Sequence, residues 1–132
     1  MATSVFLSNL TTLTVNSVSL VDQASSCTID NVAEQLEKTS FGLTSRVFTA
    51  GLFNNTVTMT LYNSYATSET YATLNALVGT TTTVVASVTD GAVTKTFTIT
   101  GCYLETLPVV NGSLGTLSTV DITFTGGVLV AS

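Results

Sequence analysis

Thr56-Val57-Thr58-Met59-Thr60-Leu61-Tyr62 alternates hydroxyl and apolar side chains without a break. Successive side chains of an extended chain point to opposite faces. Val57, Met59 and Leu61 therefore share one face and three threonines the other, the pattern of a strand with one side in a core. Thr94–Thr100 repeats it, with Phe97 and Ile99 inward and Thr94, Thr96, Thr98 and Thr100 outward. Thr119–Thr125 sets Val120, Ile122 and Phe124 against Thr119, Asp121, Thr123 and Thr125. Threonine is β-branched and uncharged, so the outer faces favour strand and pack against a neighbour at low desolvation cost.

Working outward, Ser4–Leu7, Leu13–Asn16, Val18–Val21, Ser25–Asp30, Val32–Lys38 and Thr81–Val88 are further strand candidates. Asn16-Ser17 reads as a tight hairpin turn. Asp90-Gly91 suits the positive φ values of a type I′ turn and predicts a hairpin of 81–88 with 93–104. Gly112, Gly115 and Gly126-Gly127 mark loops or strand ends. One helix is expected at about residues 68–78. Thr67 or Ser68 caps it, Glu69 lies where the helix dipole favours an anion, and Gly79 follows its end. Tyr71, Leu74 and Leu77 give it an apolar face. Strands, one helix, then strands again predict a mostly β fold, an antiparallel two-sheet sandwich or barrel with one flanking α-helix. At 132 residues it is expected to be a single domain over 1–132.

Composition excludes much. Eight acidic and three basic residues give a net charge of −5, and charged residues are only 8% of the chain. A groove gripping nucleic-acid phosphate needs cations that Lys38, Arg46 and Lys95 do not supply in number. Histidine is absent, which removes the usual acid–base group near neutral pH and the commonest metal ligand. Cys27 and Cys102 are too few for a structural zinc site and have no histidine to activate them, so buried thiols or one disulfide remain as readings. Glu34 and Glu37 read as solvated charges rather than a catalytic pair, and Asp22, Asp30 and Asp121 have no calcium-loop spacing. No Gly-x-Ser-x-Gly and no phosphate-binding glycine loop occurs. No enzyme activity, cofactor or metal is expected.

No run is long and apolar enough for a membrane helix, and residues 1–15 lack the basic and apolar regions of a signal peptide. Yet 28 threonines, 14 serines and 45% hydrophobic residues leave a surface with little charge to keep copies apart. Much of that surface is expected to be covered by other copies of the chain. Five of the eleven charges fall between Asp30 and Arg46, within a polar, weakly periodic stretch read as a long loop at about 30–51. A loop of that length in a small domain is usually functional.

Within it, Glu34-Gln35-Leu36-Glu37-Lys38-Thr39-Ser40-Phe41-Gly42, then Ser45-Arg46-Val47-Phe48, then Ala50-Gly51-Leu52, resembles the major tail (tail tube) proteins of long-tailed siphophages. Leu13–Leu20 followed by Asp22-Gln23 is similar to that family's opening hairpin, and the likeness runs over roughly residues 11 to 125. Ser17 stands where a glycine is usual, and Asn54-Asn55 where an acid is usual. The resemblance implies a tail-tube-like β-sandwich, hexameric rings stacked into a hollow tube, and DNA passing through the bore without specific binding. It also implies other tail proteins at the tube ends, a place in the virion and assembly in the host cytoplasm. The 30–51 loop would reach the next ring, with Glu34, Glu37, Lys38, Phe41, Gly42, Arg46, Phe48, Gly51 and Leu52 at the subunit interface. Competing expectations are a head-decoration or tail-terminator protein and, more remotely, a carbohydrate-binding adhesin sandwich, which would want the tryptophan this chain lacks.

Overall fold

A computed structural model describes residues 10–90 and 93–132. The candidate strand Ser4–Leu7 and the turn residue Gly91 lie outside the described residues. In chain order the elements are β1 (Leu10–Val15), β2 (Val18–Ser19), β3 (Ala24–Asp30), β4 (Ala33–Glu37), β5 (Phe48–Phe53) and β6 (Thr56–Tyr62). Helix α1 (Thr70–Leu74), continued by a 3-10 turn at Asn75–Leu77, precedes β7 (Thr81–Asp90), β8 (Val93–Leu104), β9 (Thr119–Thr125) and β10 (Val128–Ala131).

Among the described residues, eight strands form one antiparallel sheet in the order β2-β1-β7-β8-β9-β6-β3, with β10 added on β8. The alternating segments do what their pattern requires: Val57, Met59 and Leu61 of β6 and Val120, Ile122 and Phe124 of β9 are buried. They meet Leu13 and Val15 of β1, Val84 and Ala86 of β7 and Ile99 of β8 in a single apolar cluster. Both ends of the strand order feed that cluster, so the sheet folds over on itself. The expected sandwich exists, but its two layers belong to one hydrogen-bonded sheet rather than two; the separate two-stranded sheet is β4-β5.

The fold-over runs through β8. Thr82 pairs with Cys102 but Thr83 pairs with Thr100, which leaves Gly101 as an extra residue at φ +82. Such a bulge bends the strand and resets which side chains face inward, here from Ile99 to Cys102 and Leu104. Beyond it β8 changes partner. Phe97–Thr100 pair with β10, whereas Tyr103 and Leu104 pair with Thr125 and Phe124 of β9.

Asn16 and Ser17 take φ of 51° and 67°, positive at both central positions of the expected tight hairpin turn, and β7 and β8 form the expected hairpin. Helix α1 is shorter than its expected span, and its N-cap is Glu69 without a side-chain capping bond, not Thr67 or Ser68. Ser68 has φ 62°, too far from the extended conformation an N-cap uses. Leu74 and Leu77 are buried as expected, while Tyr71 is half-buried against Tyr65, ring centroids 5.3 Å apart. Phe97 also departs from expectation. It is half-buried, between Ala86 of β7 and Ala131 at the last rung of short β10. No helix among the described residues is long and apolar enough to cross a membrane.

Candidate functional site

Within the stretch read as a long loop at 30–51, the strand candidate Val32–Lys38 appears as β4, and with β5, which was not expected, it makes most of the stretch a β-hairpin. Ala33 pairs with Phe53, Gln35 with Ala50, Leu36 with Thr49 and Glu37 with Phe48. Lys38 N–H donates to the Val47 carbonyl at 2.8 Å, and Val47 N–H donates to the Thr39 hydroxyl at 2.9 Å, which closes the ladder. The tip, residues 40–46, is irregular. Every residue from Asn31 to Ala50 except Val47 is exposed, so this two-stranded arm leaves the body with solvent on both faces. An isolated hairpin of this kind has no core of its own to hold it.

The sequence-derived interface residues are all on the arm. Glu34, on β4, lies across from Gly51 of β5; a Cβ at Gly51 would come within 2.9 Å of the Glu34 carboxylate, so the glycine makes room for the acid. Glu37 ends β4 and accepts a hydrogen bond from the Thr39 hydroxyl at 3.2 Å. Its carboxylate is 3.9 Å from Arg46 Nε, an exposed pair within one arm. Arg46 thus has a partner in its own chain, weakly held. Such a pair contributes about 0–1 kcal/mol. Phe41 and Gly42 form the turn at the tip, and the Phe41 ring is fully exposed rather than folded beneath its own loop. Phe48 is 45% and Leu52 80% exposed.

The root of the arm is held by a residue noted in the sequence only as a departure from a resemblance. Asn55 is 3% exposed. Its side-chain oxygen accepts from Val32 N–H at 3.3 Å, and its Nδ2 donates to the Gly127 carbonyl at 3.2 Å. Its own carbonyl accepts from Gly126 N–H at 2.8 Å, and Asn54 N–H donates to the Val32 carbonyl at 2.8 Å. One amide therefore ties both strands of the arm to the β9–β10 connection. Gly127 fits there because a Cβ would lie 2.8 Å from the Thr100 carbonyl and because its φ is +91. Beside this clamp a groove of about 350 Å³ opens between the arm and β10, lined by Asn31, Phe53, Asn55, Gly127, Val128 and Leu129. The only available hint of this groove in the sequence was Phe53 and the Gly126-Gly127-Val128 run, which carry no strand periodicity.

The opposite character belongs to the outer face of β3, β6 and β9. Register places Asp30, Thr56 and Thr125 in one row, Thr28, Thr58 and Thr123 in the next, and Ser26, Thr60 and Asp121 in a third. Thr60 donates to the Asp121 carboxylate at 2.7 Å. No cation and no apolar side chain interrupts these rows. Cys27, inward on β3, and Cys102, on β8, are free thiols on non-adjacent strands. Burial pushes the Cys27 thiol up to about 11 and raises that of Cys102. Among the described residues no three of His, Cys, Asp and Glu gather as a metal-binding set.

No protein-family model matches the sequence, and no curated protein does. Solved structures do match. The chain superposes on a chain of the sheath/tube terminator of an extracellular contractile injection system, PVC, in its extended state, with a TM-score of 0.71 at 12% identity, over 99% of this chain and 98% of that one. The tube-terminating cap of the anti-feeding prophage gives 0.67 at 13% identity, over 100% and 95%. The tail of an empty GTA particle with C6 symmetry gives 0.58 at 15% identity, over 83% and 82%. The fold is a tail-tube-like one. These matches come from contractile injection systems and a GTA tail, so the fold is broader than the siphophage tube subunits suggested by the arm sequence.

Proposed function

We propose that the chain is a structural subunit of a phage-tail-type tube. Six copies close into a ring, rings stack through their arms, and other tail proteins occupy the tube ends. The observation that carries this reading is the hairpin: a tube-type body extends an arm with Phe41, Phe48, Leu52 and Phe53 in solvent. Apolar side chains in that number on a projecting element mark a surface that another protein covers. The siphophage-like arm sequence supports a virion tail as its place, with assembly in the host cytoplasm.

The hydroxyl rows on β3, β6 and β9 suit the wall of the bore. They offer phosphate no cation, and six copies at −5 each carry −30 in all, so duplex DNA slides without sticking. A second reading, a tube terminator that adds one ring and stops growth, draws support from the near-complete overlap with the PVC terminator chain. Electron microscopy of the purified protein separates the two. Stacked hollow tubes are the expected result, single rings that never lengthen favour the terminator, and monomers at every concentration overturn both.

A further inference from the structure

We infer that Phe41 at the arm tip of one copy seats in the groove at the arm root of a second copy, against Phe53, Val128 and Leu129. This rests on the assembly reading above and names the contact that carries it. The chain supplies both halves of the joint. A fully exposed phenyl ring stands at one end of the arm, and a mainly apolar groove of about 350 Å³ lies at the other. A rigid aromatic anchor in a desolvated pocket is the form that dominant interface residues take.

Tip and root lie at opposite ends of the same hairpin, so a ring cannot reach its own groove. The occupant therefore comes from outside the subunit. Charge identifies it as another copy. The root carries Asp30 and Glu34, while the tip carries Lys38 and Arg46, with Glu37 only loosely engaged at 3.9 Å. Head-to-tail docking brings the tip cations over the root carboxylates, whereas tip-to-tip or root-to-root contact sets like charges together. Such complementarity fixes register more than it adds affinity. A heterologous contact of this kind leaves a free tip and a free groove at the two ends, so it propagates.

The test is a cysteine pair that keeps Phe41. Ser40→Cys with Val128→Cys places one thiol beside the ring and one on the groove wall, and a disulfide forms only where Cα atoms come within about 7 Å. Under mild oxidation the double variant should give a ladder of covalent multimers on non-reducing gels, and neither single variant should. Particles of normal size by microscopy without a ladder overturn the docking and leave the assembly reading standing. A strictly monomeric wild-type protein overturns both. In parallel, Phe41→Ala should weaken self-association by roughly tenfold or more, the scale of losing a buried anchor. Phe41→Leu should recover part of that loss, and unchanged association of Phe41→Ala would also overturn the docking.

Discussion

The β6–β9 pair and the β4–β5 arm are both antiparallel ladders of similar length, yet they are stabilised in opposite ways. In β6 and β9 every second side chain is buried, and the ladder is one wall of a closed core. In β4 every residue is exposed, and in β5 only Gly51 is even half-buried. The first ladder is held by apolar burial, at roughly 25 cal/mol for each Å² removed from water. The second has its main-chain bonds, a few exposed polar contacts around Thr39, Glu37 and Arg46, and the Asn55 clamp. A segment held so lightly in the free subunit has its missing stabilisation available from a partner, and that is why the arm is the place to look for assembly.

The largest effect that could break this comparison lies in the body. Phe124→Ala empties a fully buried site and should cost about 3–5 kcal/mol, read by thermal or denaturant unfolding. An unchanged midpoint would mean that the folded-over sheet does not enclose the cluster. Phe97→Ala, at a half-buried site, should cost clearly less than Phe124→Ala, and an equal cost would put Phe97 in the core.

Next comes the joint between the regions. Asn55→Ala removes both amide bonds and should destabilise by about 1–3 kcal/mol. Its signature is local: amide exchange should speed up at Val32 and along the arm, and much less in β6 and β9. Uniform protection loss would show that arm and body unfold as one.

Cys27 gives a pH handle on the body alone. Its folded-state pKa of about 11 lies above the ordinary 9.0, so the folded chain holds the proton more tightly than the unfolded one. The resulting stability is complete below about pH 9 and falls as pH rises towards 11. Cys27→Ala should flatten that alkaline decline, and the wild-type thiol should react slowly with maleimide at pH 8. The smallest effect belongs to the arm: Arg46→Ala should shift unfolding by no more than about 1 kcal/mol, because the Glu37 pair is exposed. A larger shift would mean the tip is packed rather than free.

Legibility in the sequence followed burial. β6, β9 and the β7–β8 hairpin could be read directly, because one-sided burial writes itself as period-2 alternation. β5 and β10 could not. Phe48-Thr49-Ala50-Gly51-Leu52-Phe53 has no core to sort its side chains into two faces, and Val128-Leu129-Val130-Ala131 is a short apolar run after two glycines. The arm residues were found through concentrated charge and a motif resemblance. The groove was missed because Phe53 and Leu129 are brought together from 76 positions apart.

The sequence by itself determined the class of this protein: low charge, hydroxyl-faced strands, one helix and a polar, charge-bearing insertion between two of the strands. Those properties depend on local spacing and on residue type, which any stretch of chain displays alone. Only the tertiary structure decided that a single sheet closes over its own core, that Gly101 is where β8 trades β10 for β9, and that Asn55 holds the arm beside an apolar groove. Each of those depends on which distant backbone groups are left to pair once the core has closed, and that is a property of the whole chain.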